Sequence, residues 1–318
     1  MDDTFRRGPL LLIAGRANRP LAIEIGEILG EDPESARIRD FADGEIFVRI
    51  DRNARGRDVF IIQPTVTPAE SVLELLLLID AAVRASAARV TAVVPYFGYG
   101  RQDRKDQPRV AIGAKLMANL MVAAGADRVI GMDFHQHQIQ AFFDIPVDHL
   151  YAAPVLTGYF RQKKLTDLVV VAPDVGSAKM ARGFARRLNA TIAIIDKRRP
   201  AKNKVEVVNL VGDLKNKHVL IIDDMIDTAG TLCNAAYTAE KEQAKSVVAI
   251  ATHPVLSGEA ISKLKDAPIS KVIVCDTINI EKNKKFDKLE IISVADVFGE
   301  SMKRIVEGTS LSSLFKGF

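Results

Sequence analysis

Short apolar runs rich in Val, Ile, Leu and Ala recur along the chain and alternate with longer segments of helical spacing. The runs are nearly continuous, which is typical of strands that are covered on both faces. They predict strands at residues 10–14, 59–63, 90–95, 128–133, 168–172, 192–196, 219–223, 247–251, 271–275 and 290–294. The spacing between them predicts helices at 68–87, 112–124, 176–188 and 231–243. This alternation predicts an α/β fold in which mainly parallel sheets are flanked by helices.

One strand-to-loop segment occurs twice, at a constant offset along the chain. Residues 59–64 read Val-Phe-Ile-Ile-Gln-Pro and residues 219–224 read Val-Leu-Ile-Ile-Asp-Asp, and a helical pattern follows each. We therefore expect two similar α/β domains in tandem, 1–150 and 151–318. The copies differ at this loop: the second has Asp223, Asp224 and Asp227, where the first has Gln63, Pro64 and Thr67. Acidic sugar-binding chemistry is expected in the second copy alone.

The segment around the second copy of this strand carries the most specific chemistry. Asp223 and Asp224 end the strand, and the loop Asp227-Thr228-Ala229-Gly230-Thr231 opens the next helix. Paired carboxylates accept hydrogen bonds from the vicinal hydroxyls of a ribose. Gly230 permits close approach or a positive φ, and the threonine hydroxyls and free amides of the helix start favour a phosphate. The alternative is a solubilised helix N-cap, but caps rarely need two adjacent carboxylates after a buried strand.

Composition excludes several classes of protein. The 318 residues carry a formal net charge of +4 and 6% aromatics, without the basic stripe or stacking cluster of a nucleic-acid binder. Cys233 and Cys275 belong to no Cys/His cluster, which disfavours zinc and fits a reducing, cytoplasmic location. No apolar run reaches the length of a membrane span or resembles a signal peptide. The absence of GxxxxGK[ST] and GxGxxG sequences disfavours a P-loop kinase and a nucleotide-binding Rossmann enzyme.

The motifs resemble those of a known family. The segment 218–232 resembles the 5-phosphoribosyl 1-diphosphate signature that type I phosphoribosyltransferases share with ribose-phosphate diphosphokinases. Further segments resemble the class I diphosphokinases, in order and over nearly the whole chain: 41–45, 101–108, 132–135, 138–147, 173–176 and 196–199. The resemblance implies two tandem type I phosphoribosyltransferase-like domains, the first contributing ATP-binding elements and the second binding ribose 5-phosphate. It also implies transfer of the diphosphate of Mg-ATP to ribose 5-phosphate, which supplies a precursor for nucleotide biosynthesis.

For ATP, the resemblance points to two segments of the first domain. In one, Phe41 offers an aromatic face to adenine, and Asp43 and Glu45 accept from its exocyclic amine. The alternative for this segment is a solvent-exposed Asp-Gly turn. In the other, the implied nucleotide-binding residues are Arg101, on the phosphates, with Gln102 and Asp106. A solvated charge run is the alternative there, and Arg104 and Lys105 are left open.

Mg²⁺ is the implied metal, with His135 and Asp174 as its implied ligands. A lone histidine is more often structural, and alternation along a strand places His137 on the same face without a role. Asp174 is alternatively an N-cap of a helix that begins at Gly176. Lys197 and Arg199 are implied catalytic residues at the head of a polar, flap-like stretch, and a surface basic cluster is the alternative.

The sequence departs from the family pattern in two places. Gly113 stands where the family has a serine, and Ser177-Ala178-Lys179 differs from its Gly- and Arg-containing version. The resemblance further implies a homo-oligomer, commonly a hexamer, that responds to inorganic phosphate and ADP. The candidate residues for such an effector site are Arg55, Gln140, Ser310, Ser312 and Phe315. A phosphoribosyltransferase and a non-catalytic regulatory relative remain the rival interpretations.

Overall fold

The computed structural model describes residues 8–163, 166–198 and 207–315. This part of the chain forms two compact units. The first contains the residues up to Tyr151 together with Thr277–Asn279 and Ser293–Leu314, and the second contains Ala152–Asp276 and Ile280–Ile292. Within the described residues, no helix combines the length and the apolar character that a membrane span requires.

The first unit is built on a parallel sheet. Its strands are β1 (Leu10–Ala14), β2 (Ala36–Asp40), β3 (Ile46–Ile50), β4 (Asp58–Ile62), β5 (Arg89–Val94), β6 (Arg128–Met132) and β7 (Val147–Leu150). Its helices include α1 (Arg19–Leu29), α2 (Glu70–Arg84) and α3 (Gly113–Ala124). The parallel sheet has the order β1-β4-β5-β6-β7, and β2 and β3 form a separate antiparallel hairpin. Every residue of β4 is buried, as expected of a strand covered on both faces.

The second unit repeats this arrangement. Its helices are α4 (Ala153–Arg161), α5 (Ala178–Leu188), α6 (Gly230–Lys241) and α7 (Ala260–Asp266). Its strands are β8 (Leu168–Ala172), β9 (Thr191–Arg198), β10 (Val207–Val211), β11 (His218–Ile226), β12 (Ser246–Pro254), β13 (Lys271–Cys275) and β14 (Leu289–Ile292). They form one sheet in the order β10-β9-β8-β11-β12-β13-β14, in which β10 alone is antiparallel to its neighbour. The α/β prediction with mainly parallel sheets is therefore confirmed.

The strand order shows how closely the two copies agree. The parallel strands β8-β11-β12-β13-β14 of the second unit follow the same order as β1-β4-β5-β6-β7 of the first. Each unit also has a hairpin after its first strand and the following helix: β2–β3 follows α1, and β9–β10 follows α5. The first hairpin is a sheet of its own, whereas the second extends the main sheet through β9.

The end of the chain differs from the expected single boundary at residue 150. A last helix, α8 (Ala295–Glu307), packs against α1 in the first unit, and a β-carbon added to Gly299 would lie 2.7 Å from Ile28. Ser293 donates a hydrogen bond to Glu24 beside this contact. The physical reason is that α8 has an apolar, buried face, which includes Phe298, and that α8 packs against α1. The C-terminal segment therefore belongs with the first unit and not with 151–292.

Candidate active site

The acidic strand end lies where two neighbouring parallel strands of the second unit separate. β11 pairs with β8 as far as Ile221 and Val171, and β8 ends at Ala172. β11 continues through Asp223 and Asp224 alongside β12. Because the next strand after β8, β9, lies on the opposite side of β8 from β11, this edge is a topological switch point. Parallel α/β sheets bind their ligands in the crevice at such a point.

Ser177 connects the carboxylates of two segments at this edge. Its Oγ lies 2.9 Å from Asp174 Oδ1 and 3.0 Å from Asp223 Oδ1. Its backbone N–H also donates to Asp174 Oδ1, at 2.9 Å. Asp174 thus shapes the turn before α5, which begins at Ala178 and not at Gly176 as predicted. No role was predicted for Ser177, and the one available signal was its departure from the family pattern.

The carboxylates at this edge strongly affect one another. Burial raises the pKa of Asp223 to about 8, and the charges of Asp224 and Asp174 and a hydrogen bond with Asp224 act in the same direction. The hydrogen bond from Ser177 opposes this rise in pKa. Asp223 is therefore protonated at neutral pH unless a cation or a hydrogen-bond donor offsets the neighbouring charges. The site has the electrostatics of a cation or polyhydroxyl site.

A divalent metal fits these residues. Asp174, an implied metal ligand, presents hard oxygen atoms, which Mg²⁺ prefers, and Asp223 adds negative charge beside it through Ser177. Within the described ranges, no three His, Cys, Asp or Glu side chains are arranged as a complete metal cage. Mg²⁺ rarely uses such a cage, because it keeps several waters and binds through one or two carboxylates together with substrate phosphates. The crowded carboxylates are thus compatible with a metal that arrives with its substrate.

The loop 227–231 leaves the start of α6 open. Gly230 is the first residue of α6, and the positive φ expected there falls instead on Ala229, at 61°. Among the described residues, no side chain caps the first turn of α6. A β-carbon added to Gly230 would have Thr228 Oγ1, at 3.9 Å, as its one described neighbour within 4 Å. Thr228 and Thr231 are exposed. Free amides and hydroxyls around open space are suited to a phosphate.

Asp227 is already engaged within the protein. The hydroxyl of Ser257 donates to Asp227 Oδ1, and the backbone N–H of Ser257 donates to the carbonyl of Asp227 at 3.0 Å. These bonds join the loop to the segment that follows β12. Asp227 therefore braces the loop. Ser257 was not identified from the sequence, because it is far from the motif along the chain.

Of the two predicted catalytic cations, Lys197 lies in the described part of the chain. Lys197 lies in β9 and pairs with Val208 of β10. Arg199 lies outside the described residues, and so does the rest of the predicted flap, which was expected to end near Val205. Their roles stay predictions.

A pocket of about 340 Å³ in the first unit brings together Arg101, Gln102, Asp106 and His135. Its lining also includes Arg104, which the sequence left open. Gln102 packs where a side chain at residue 113 would lie, since a β-carbon on Gly113 would come within 2.5 Å of Gln102 Oε1. The mixture of cations and carboxylates in one pocket is suited to a polyphosphate with its counter-ion.

The expected alternation of His135 and His137 is wrong. β6 ends at Met132, one residue earlier than predicted, and Asp133 then turns the chain with a φ of 39°. His137 begins a 3-10 helix. The two histidines therefore do not follow the two-residue period of a strand.

The segment 41–45 forms the tip of the β2–β3 hairpin. The Phe41 N–H donates to the Glu45 carbonyl at 2.8 Å, and the Glu45 N–H donates to Asp43 Oδ1 at 3.1 Å, so the backbone makes the turn that was the alternative. Phe41 is nevertheless 43% exposed. Its ring packs edge-on against Phe47, and the Arg39 guanidinium lies about 5 Å from both ring centres. An exposed ring with a cation beside it is suited to stacking a base.

The five effector candidates have different surroundings. Ser310 lines a pocket of about 410 Å³ with Arg304 and Lys303, whereas the other four candidates do not line it. Gln140 hydrogen-bonds the carbonyl of His137 and the ring of His149. Arg55 and Ser312 are exposed, and Phe315 is half-buried at the end of a 3-10 turn.

Comparison with known proteins gives the same assignment for both halves of the chain. Residues 10–125 match the model of the N-terminal domain of ribose phosphate pyrophosphokinase, and residues 197–316 match that of the phosphoribosyl synthetase-associated domain. The ribose-phosphate pyrophosphokinase of Chlorobaculum tepidum is 50% identical over 96% of this chain and 95% of its own length. The ribose-phosphate pyrophosphokinase of Caldanaerobacter subterraneus subsp. tengcongensis is 51% identical over 96% of this chain and 98% of its own length.

A solved structure agrees. The crystal structure of phosphoribosylpyrophosphate synthetase from Mycobacterium smegmatis superposes with a TM-score of 0.89 at 40% identity, covering 94% of this chain and 99% of that one. Similarity of this extent, together with the acidic strand end and open phosphate loop, shows that the chain belongs to the ribose-phosphate pyrophosphokinase family.

Proposed function

We propose that this pyrophosphokinase transfers the β,γ-diphosphate of ATP to the anomeric hydroxyl of ribose 5-phosphate, which gives 5-phosphoribosyl 1-diphosphate and AMP. The observation that carries the proposal is the pairing of Asp223 and Asp224 with the uncapped start of α6 at one sheet edge. Ribose hydroxyls bind the two carboxylates, and the 5-phosphate binds the amides and hydroxyls of residues 228–231. Asp227 holds that loop through Ser257.

ATP binds through the first unit in this proposal. The adenine stacks on Phe41, with Asp43 and Glu45 at its amine, and the phosphates meet Arg101, Gln102 and Asp106. Mg²⁺ would supply charge neutralisation on the phosphate oxygens, and the proposed protein ligands are His135 in the pocket of the first unit and Asp174 in the second unit. The chain's own contribution is to orient the sugar hydroxyl and the ATP phosphates for an in-line displacement.

The bonds exchanged follow from the products. The bond between the anomeric oxygen and the β-phosphorus forms while the bond from the β-phosphorus to its bridging oxygen with the α-phosphate breaks, and the hydroxyl proton is released. AMP leaves with the bond electrons. Lys197 and Arg199 neutralise charge on the transferred group, so Lys197→Ala lowers kcat much more than it raises KM.

We also propose that the enzyme works in the cytoplasm as a homo-oligomer, a hexamer by family resemblance, with phosphate and ADP as effectors. The effector candidates are those named above, among which Ser310 lies in a pocket that two cations, Lys303 and Arg304, and two carboxylates, Glu300 and Glu307, also line.

The test is to incubate the purified protein with ribose 5-phosphate and Mg-ATP and to identify the nucleotide product. AMP supports the proposal, and ADP as the stoichiometric product would point to an ordinary kinase. A phosphoribosyltransferase would release diphosphate from 5-phosphoribosyl 1-diphosphate without ATP, and a regulatory relative would form no product. Asp224→Asn is expected to lose ribose 5-phosphate binding, whereas Asp213→Asn, an exposed matched control, retains it.

A further inference from the structure

A buried carboxylate organises the sheet edge of the first unit. Glu74 of α2 is 3% exposed, and it accepts hydrogen bonds from the Arg16 backbone N–H at 2.6 Å, from Arg16 Nε at 2.5 Å and from Gln63 Nε2 at 3.0 Å. Gln63 Oε1 accepts in turn from the N–H of Ala17 at 3.0 Å. A buried carboxylate is tolerated when it is paired and hydrogen-bonded in this way. The network fixes Arg16 at the carboxyl end of β1.

The outer end of Arg16 is bonded to the β2–β3 hairpin. Its two terminal nitrogens donate to both carboxylate oxygens of Asp40, at 2.8 and 2.9 Å. Asp40 is the last residue of β2, directly before Phe41. A two-pronged guanidinium–carboxylate bond fixes orientation as well as distance. Arg16 is thus one rigid link between a buried group and the hairpin tip.

The hairpin needs such a link because its apolar anchoring stops short of the tip. A two-stranded hairpin without further strands is marginally stable alone. Ala36 and Ile50 are paired across the hairpin and pack on the core of the unit, as do the paired Ile38 and Val48. Asp40 lies two residues further along the same face of the hairpin. There the ion pair with Arg16 replaces the apolar contacts with the core.

We propose that Arg16 is a positioning residue for ATP, which holds the adenine-binding tip of the β2–β3 hairpin in place through Asp40. This inference rests on the proposed adenine contacts of Phe41, Asp43 and Glu45. No role was predicted for Arg16 or Asp40 from their positions in the sequence. A simple surface ion pair would contribute little, whereas this pair joins a buried group to a segment with few other supports.

The test uses Asp40→Ala, because removal of Arg16 would leave Glu74 buried without its main partner and could unfold the edge. The expected result is a KM for ATP raised about fivefold, with kcat and the KM for ribose 5-phosphate within about twofold of wild type. Backbone amides at residues 41–46 should also exchange with deuterium about fivefold faster. Asp51→Ala is the matched control, since Asp51 pairs with Arg49 and Arg37 of the hairpin alone and should change neither readout.

Arg16→Lys is the second variant, since a lysine can neutralise Glu74 but cannot bridge it to both oxygens of Asp40. It should reproduce the effect of Asp40→Ala, and the double variant should add nothing further. Unchanged exchange and KM in Asp40→Ala, or equal effects in Asp51→Ala, would overturn the proposal. If the wild type makes no AMP, the proposed function fails, while the exchange measurement still decides whether Arg16 holds the hairpin.

Discussion

Replacing Asp223 with asparagine is expected to stabilise the protein when metal and substrates are absent, and increasingly so as the pH rises. Burial with Asp224 and Asp174 raises the pKa of Asp223 to about 8, compared with about 3.9 in an unfolded chain. Between these values the folded state holds one more proton than the unfolded state, so the free energy of unfolding falls as the pH rises. Asparagine keeps the Oδ1 that accepts from Ser177 and from the Asp224 amide, and it removes the charge.

The size of the effect follows from this difference in pKa. About four pKa units correspond to a ceiling of about 5 kcal/mol. Asp223 is partly exposed at the sheet edge, and side-chain movement with water entry relieves part of the repulsion. We therefore expect the free energy of unfolding of Asp223→Asn to exceed that of the wild type by about 2 kcal/mol at pH 8.5. This corresponds to a Tm higher by about 4–8 °C for a unit of this size. The difference should shrink towards zero as the pH approaches 4.

The assay is thermal and urea unfolding in EDTA across this pH range. Asp213→Asn is the matched control with the opposite sign, because the Lys215 amide and Lys217 lower the pKa of the exposed Asp213 carboxyl. Its contribution is present at neutral pH and is lost as the pH falls through that lowered pKa. The reasoning would be refuted if Asp223→Asn and the wild type were equally stable at pH 8.5. It would also be refuted if their difference in stability were the same at both ends of the pH range.

Two further substitutions test other contacts of the site. Ser177→Ala should weaken Mg²⁺ binding about tenfold, measured as the Mg²⁺ concentration that half-maximally raises Tm. Ser177→Thr keeps the hydroxyl and should bind Mg²⁺ with nearly the affinity of the wild type. Equal affinities for all three proteins would contradict the bridging role of Ser177. Gly113→Ala should displace the Gln102 amide and raise the KM for ATP about threefold at unchanged kcat. Gly158→Ala is its control, since the added methyl meets no described atom within 4 Å, and a KM that moves equally in both variants would exclude the Gln102 explanation.

The parts of the fold that the sequence predicted are those whose signal is local. Parallel strands buried on both faces appear as continuous apolar runs, and β4 and β11 were found in this way. The strand β2 was missed because its residues alternate between partial burial and exposure, with arginines on the outer face. The place of α8 could not be predicted, since its partner α1 lies at the other end of the chain and nothing local encodes the pairing.

The same distinction holds for the candidate site. Asp223, Asp224 and the loop 227–231 are contiguous, so their chemistry is visible as a motif. The hydrogen bonds of Ser177 to Asp223 and of Ser257 to Asp227 join segments that are distant in sequence, and they emerge once the strands are placed side by side. For Gly230, a close approach or a positive φ was expected, and the positive φ lies instead at Ala229, although glycine is the usual residue for a left-handed φ.

Gln63 has a consequence for substrate stoichiometry. Gln63 follows β4 and is the counterpart of Asp223 in the second copy. Its side-chain amide is buried, and both its oxygen and its nitrogen are hydrogen-bonded within the first unit. A duplicated fold with two working sugar pockets would sequester half of its bound pentose where no transfer can occur. Because the Gln63 amide occupies the strand end of the first unit, we expect one sugar site per chain. Calorimetric titration should therefore saturate at one ribose 5-phosphate per chain.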